Sequence, residues 1–145
     1  MNKVISPENL SPESFRRGAV DILPMLLGTA PFGVAFGAFA YEMELGILGG
    51  QGLSAIVFAG SAQFVGANLY GQGASLLIVF ITTFCINMRH ALYGAALAPK
   101  LIKVRRREKL FMSFFITDEA FAVVSRFNNI QSGYFWGAAL VMYFN

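Results

Sequence analysis

Charge is what this sequence has least of. Only 13% of its 145 residues are Asp, Glu, Lys or Arg, and 56% are apolar. A soluble domain carries about 25% charged residues, so this chain lacks the polar surface that would keep it in water. Two stretches hold no charge at all, Ile22 to Tyr41 and Leu45 to Met88. Each exceeds the roughly 18 residues that mark a membrane span, which excludes a soluble fold. Histidine and cysteine occur once each, as His90 and Cys85. A single histidine excludes a multi-histidine metal centre, and no metal or other cofactor is expected. A single cysteine excludes an intrachain disulfide, and within an apolar run Cys85 reads as a packing residue. Nothing resembles a nucleotide-binding P-loop. The first apolar run is longer than the roughly 7–15-residue core of a signal peptide, and no clean cleavage site follows it, so a permanent helix is expected.

The charges that are present are concentrated. The net charge is +3 with a pI near 9.2, and six of the eleven basic residues lie between Lys100 and Lys109. A basic block beside apolar spans is the mark of a cytoplasmic loop and argues against nucleic-acid binding.

The expected architecture is an all-α integral membrane protein, a polytopic helix bundle with room for a broken or re-entrant helix. Residues 1–17 are polar and contain Pro7 and Pro12, and read as an N-terminal tail. Residues 18–145 read as the transmembrane transporter domain. Its first helix should run from about Gly18 to Tyr41. Pro24 and Pro31 interrupt its backbone donors, and Thr29, Gly33 and Gly37 form a small-residue stripe suited to close helix approach. A second long helix is expected from Ala74 to Leu97, ended by Ala98-Pro99, and a third over Leu110–Phe127. The last apolar segment, Tyr134–Phe144, is shorter than the roughly 20 residues of a span, as though the chain stopped inside a helix.

Topology constrains the stretch between the helices. Arg16-Arg17 favours a cytoplasmic N-terminus, and the Lys100–Lys109 block belongs on the same side. Residues 45–98 must then supply an odd number of crossings. Three spans of about 20 residues do not fit there, whereas one span plus a re-entrant or broken segment over Gly49–Gly73 does. Two plain spans with an external N-terminus are the alternative.

Ionisable side chains inside spans cost about 2.5–3.5 kcal/mol each and are functional candidates by default. One cluster is Asn87-Met88-Arg89-His90, continuing to Tyr93-Gly94; the other is Thr117-Asp118-Glu119. Arg89 lies about 15 Å before Pro99 along a helix, and Asp118 about 13–14 Å after Lys109. An antiparallel helix pair would bring them to similar depth, as a polar centre on a substrate path or as a static ion pair. His90 suits either a proton relay or hydrogen-bonded packing. Ala55, Ala59, Ala62 and Gly66 form a small-residue face. Within the segment Phe58-Ala-Gly-Ser-Ala-Gln-Phe64, Gly60-Ser61 reads either as close packing or as a helix break whose N–H groups face an anion, with Gln63 alongside.

Together these segments resemble the AzlC family, the large subunit of branched-chain amino acid exporters. The resemblance runs through Asp21-Ile-Leu-Pro24, Pro31, Gly37, Phe58–Phe64, Arg89-His90-Ala-Leu-Tyr93-Gly94 and Thr117-Asp-Glu-Ala-Phe121. It implies export of valine, leucine and isoleucine across the cell membrane, ion coupling, and a small hydrophobic partner subunit of the AzlD type. Members of the family continue beyond residue 145 with further spans. On this reading the substrate and ion pathway uses Gly60, Ser61, Gln63, Asn87, Arg89, His90, Tyr93, Asp118 and Glu119. The alternative is a structural or assembly membrane protein whose polar residues only lock helices. An intramembrane enzyme fits poorly, since Asp118 and Glu119 are adjacent and point to different helix faces.

Overall fold

The computed structural model describes residues 10–57 and 59–145, and every regular element among them is helical. The helices are α1 (Pro12–Glu42), α2 (Gly46–Gly52), α3 (Gly60–Gly71), α4 (Leu76–Asn87), α5 (Arg89–Leu97), α6 (Arg106–Phe114), α7 (Asp118–Val124) and α8 (Ser132–Tyr143). Two segments are long and apolar enough to cross a membrane: α1, and the 25-residue run Leu76–Lys100 that takes in α4, α5 and a final 3-10 turn. At 1.5 Å per residue they reach about 46 and 37 Å, more than the roughly 30 Å hydrocarbon core. Two compact units emerge, one formed by residues up to Leu26 with His90–Asn145, the other by Leu27–Arg89.

The helical start differs from the expectation that α1 begins near Gly18. Ser11, Pro12 and Glu13 open the helix earlier, with the Ser11 hydroxyl accepting from the Ser14 N–H at 3.2 Å. Proline at the first helical position and an acidic first turn suit a helix N-terminus. Of the expected polar tail, residues 1–9 lie outside the described residues, and 12–17 are the first turns of α1.

In the Leu27–Arg89 unit the core is aromatic. Phe64 of α3 receives Phe32, Phe36 and Phe39 from successive turns of α1, with ring centroids 5.0, 5.4 and 5.1 Å away. Such edge and offset contacts are each worth about 0.5–1.5 kcal/mol beyond area burial. On the small-residue face of α3, Ala59, Ala62 and Gly66 are buried, and a Cβ at Gly66 would press on the Thr83 methyl of α4 at 2.9 Å. Ala55 is exposed. The Gly33 and Gly37 stripe of α1 likewise meets nothing within 4 Å among the described residues, because the helix turns Phe36 and Ala40 inward instead. Outward-facing Leu27 (82% exposed) and Leu48 (89%) suit a lipid surround.

In the other unit, Ile22, Leu97, Met112, Ile116, Val124 and Phe135 form the fully buried centre. Helices α1 and α8 cross at two glycines. A side chain at Gly18 would collide with the Tyr134 carbonyl, and one at Gly137 with the Phe15 carbonyl. Backbone cannot yield as a side chain can, so this crossing requires glycine on both helices. The Glu108 carboxylate of α6 binds α8, accepting from the Ser132 hydroxyl and from Trp136 Nε1 at 3.0 Å.

The expected continuous helix over Leu110–Phe127 is instead two short ones. Helix α6 ends at Phe114, Thr117 is extended (φ −100°, ψ 170°), and α7 starts at Asp118. The Thr117 hydroxyl accepts from the Ala120 N–H at 3.1 Å, so the threonine caps a new helix rather than continuing the old one.

Candidate functional site

The central interruption of the chain lies between Val57 and Gly60. Helix α2 runs on as a π-helical segment, Leu53–Val57, and α3 begins afresh at Gly60 after Ala59, which is extended (φ −115°, ψ 104°). The two helical pieces, Gly46–Val57 and Gly60–Gly71, have twelve residues each, about 18 Å, and neither alone spans the hydrocarbon core. A break leaves backbone carbonyls at the first piece and N–H groups at the second without helical partners. The N-cap residue of α3, Ala59, has no side chain that can accept from the first N–H groups.

Polar side chains gather at this interruption. Asn87, the last residue of α4, extends its amide nitrogen to the Val57 carbonyl at 3.5 Å. Gln63, 9% exposed, donates to the Ser54 hydroxyl at 3.0 Å and so ties α3 to the π-helical segment. Ser61 is exposed, while Gly60 and Arg89 are half-buried. A Cβ at Gly60 would run into the Phe32 ring, so the glycine also serves packing. Helix dipoles make the two faces of the break electrically different, with partial positive charge at Gly60-Ser61 and partial negative charge at Val57. An ion with charges of both signs is complementary to such a pair of ends.

Of the expected pathway residues, Gly60, Ser61, Gln63, Asn87 and Arg89 therefore fall within one unit, while His90, Tyr93, Asp118 and Glu119 belong to the other. There Tyr93 stacks on Phe121 of α7 with ring centroids 4.4 Å apart, and His90 meets Tyr93 edge-on at 5.9 Å. Asp118 and Glu119 occupy the first turn of α7, where the helix dipole favours carboxylates. Thr117-Asp-Glu is an N-cap followed by an acidic first turn, a signal legible in the sequence.

Sequence reasoning passed over another polar cluster. Asp21 of α1 accepts the Tyr134 hydroxyl of α8 at its Oδ2, 2.7 Å away. Arg126, which follows α7, donates through Nη2 to the same tyrosine oxygen at 3.1 Å and lies 3.5 Å from Asp21 Oδ2. Its Nε donates to the Val123 carbonyl at 3.0 Å. The visible signal was a pair of opposite charges bordering apolar runs, but nothing in the sequence joins positions 113 residues apart.

Residues 24–145 match the family described as AzlC protein. The inner membrane protein YgaZ of Escherichia coli is 33% identical over 113 residues, covering 77% of this chain and 46% of that protein. An uncharacterized membrane protein of Archaeoglobus fulgidus is 34% identical over 109 residues, covering 75% and 48%. The branched-chain amino acid transport protein AzlC of Bacillus subtilis is 27% identical over 125 residues, covering 84% and 49%. The chain thus spans about half the length of these curated relatives. No solved structure matches it significantly. Relatives named as membrane proteins and two helices of spanning length place the chain in the cell membrane as an integral protein. The chain belongs to the AzlC family.

Proposed function

We propose that the protein is a carrier, not an enzyme, that exports branched-chain amino acids such as valine, leucine and isoleucine. The observation that carries this reading is the helix interruption at Val57–Gly60, with polar side chains gathered on it. The substrate carboxylate lies against the N–H groups of Gly60 and Ser61, and its ammonium against the carbonyl end at Val57. In membrane carriers, broken helices turn half-helix N-termini toward anionic substrate groups and carbonyl ends toward cations. Asn87 holds the carbonyl end in place, Gln63 fixes α3 against Ser54, and Arg89 supplies a cation two residues after Asn87. The aliphatic group packs among apolar side chains.

Transport is ion-coupled on this reading. Asp118, Glu119 and His90 are the protonatable groups of the pathway, and Tyr93 supports His90 by its edge-on contact. A small hydrophobic subunit of the AzlD type completes the exporter. The name of the Bacillus subtilis relative agrees with the substrate class. Arg16-Arg17 and the Lys100–Lys109 block on one side support the re-entrant topology, in which Gly46–Val57 and Gly60–Gly71 enter and leave the membrane on one side.

Counterflow in liposomes tests the proposal. Vesicles preloaded with unlabelled leucine should accumulate labelled leucine, and more so when the small subunit is co-reconstituted. Absence of accumulation in either preparation would overturn the carrier reading.

A further inference from the structure

The basic block Lys100–Lys109 is held on a fixed frame. Leu101 and Val104 are buried, and the Ile130 N–H donates to the Lys100 carbonyl at 3.0 Å. Lys100 Nζ donates to the Ser125 carbonyl at 2.5 Å, so one of the six cations is engaged by the protein itself. Lys103, Arg105, Arg106 and Arg107 are exposed and form no ion pair among the described residues. The one carboxylate between Lys100 and Thr117 is Glu108, and it is turned to α8, where it accepts from Ser132 and Trp136. Four outward cations therefore stand together without a counter-charge. Three of them border the start of α6, where the helix dipole adds further positive charge.

Helix α6 sorts its residues in two directions. Around the axis, Glu108, Met112 and Phe115 face the core, with Met112 fully buried and Phe115 edge-on to Trp136 at 5.6 Å. Arg106, Arg107, Leu110, Phe111 and Phe114 recur at three- and four-residue spacing on the outward face. Along the axis, the cations come first and the apolar side chains last. Leu110, Phe111 and Phe114 are 68, 67 and 48% exposed, and Phe114 lies about 12 Å beyond Arg106. A phospholipid matches that sequence of chemistries, with phosphate at the surface and acyl chain just beneath it.

We propose that the basic block and α6 form a docking surface for an anionic phospholipid of the surrounding bilayer. The guanidinium groups of Arg105, Arg106 and Arg107 take the phosphate, and the acyl chains lie against Leu110, Phe111 and Phe114. Arginine's planar fork pairs with two phosphate oxygens at once, so the surface reads a phosphate and not charge alone. Phosphatidylcholine is the poorer occupant, because its own trimethylammonium group is repelled by the same four cations. The inference uses the chain's residence in the membrane and is independent of the carrier reading.

Native mass spectrometry of the whole protein in detergent, with equimolar phosphatidylglycerol and phosphatidylcholine, tests the proposal. The wild type should retain phosphatidylglycerol over phosphatidylcholine by about fivefold or more. Combined Arg105→Gln, Arg106→Gln and Arg107→Gln should bring the two lipids within about twofold, and lysine at the same three positions should keep part of the preference. Arg16→Gln with Arg17→Gln removes two equally exposed cations from α1 and should leave the preference unchanged. Phe111→Ser should lower retention of phosphatidylglycerol, and glycerol phosphate, which has no acyl chains, should fail to displace it. Circular dichroism checks that each variant keeps wild-type helicity; where the triple variant does not, Arg106→Gln alone should still weaken the preference. Equal retention of the two lipids by the wild type would overturn the proposal and leave the surface to an acidic protein segment. A preference undiminished by the glutamine variants would overturn it too, as would displacement by equimolar glycerol phosphate.

Discussion

The amide of Asn87 reaches the carbonyl of Val57 at 3.5 Å, across thirty residues of sequence, at the point where the helical backbone is interrupted. A carbonyl at a helix end has no partner from its own helix, and leaving such a group unsatisfied away from water costs about 1–3 kcal/mol. Asn87→Leu should therefore lower thermal stability by an amount corresponding to about 1 kcal/mol or more. Asn87→Gln, which keeps the amide, should lose less. Thermal unfolding of the detergent-solubilised protein checks this, and equal stability of Asn87→Leu and wild type would show that the contact is idle.

Glycine at position 60 is explained by Phe32, whose ring occupies the space a side chain would need. Gly60→Ala should reduce folded protein several-fold, and adding Phe32→Ala should restore much of it. Because the proposed substrate contact is made by backbone N–H groups, the double variant should also regain measurable transport. Restored abundance without any transport would separate packing at Gly60 from the route of the substrate.

The crossing of α1 and α8 makes a sharper demand. Gly18→Val and Gly137→Val each drive a side chain into a backbone carbonyl, and no neighbouring side chain can make room. Overpacking of well-packed sites costs about 1–3 kcal/mol even where side chains yield, so both variants should be absent from the membrane by immunoblot. Gly71→Ala makes a useful contrast, because its obstruction is the flexible Met43 side chain. That variant should retain most of its abundance.

Topology can be read with an impermeant thiol reagent. In a Cys85→Ser background, Ser11→Cys and Lys103→Cys should both resist labelling from outside and both react in inverted vesicles. External labelling of Ser11→Cys alone would replace the re-entrant arrangement by plain crossings.

Much of this architecture is written in the sequence as absence of charge. Ile22–Tyr41 and the apolar run before Lys100 could hardly be anything but long helices, while at Gly60-Ser61 both features read from the sequence coexist, a helix start after extended Ala59 and close packing against Phe32. The start of α1 was legible in Ser11-Pro12-Glu13 but was masked by the polar composition around it. The division of Leu110–Phe127 was legible too, since Thr117 followed by two acids is a capping signal. Hydrophobicity outweighed it, because an apolar run reads the same whether its helix is whole or broken. The Gly18–Gly137 crossing and the Asp21–Tyr134–Arg126 cluster were beyond reach, since each depends on which distant segments meet.

The central claim, that a branched-chain amino acid occupies the helix interruption, is tested most directly by substrate protection at Ser61. This side chain is exposed at the start of α3, so Ser61→Cys in a Cys85→Ser background should react with a small maleimide in proteoliposomes. Saturating valine, leucine or isoleucine should slow that reaction several-fold, while isobutylamine at the same concentration should not. An alkylation rate unchanged by any of the three amino acids, in a variant that still carries out counterflow, would contradict the account.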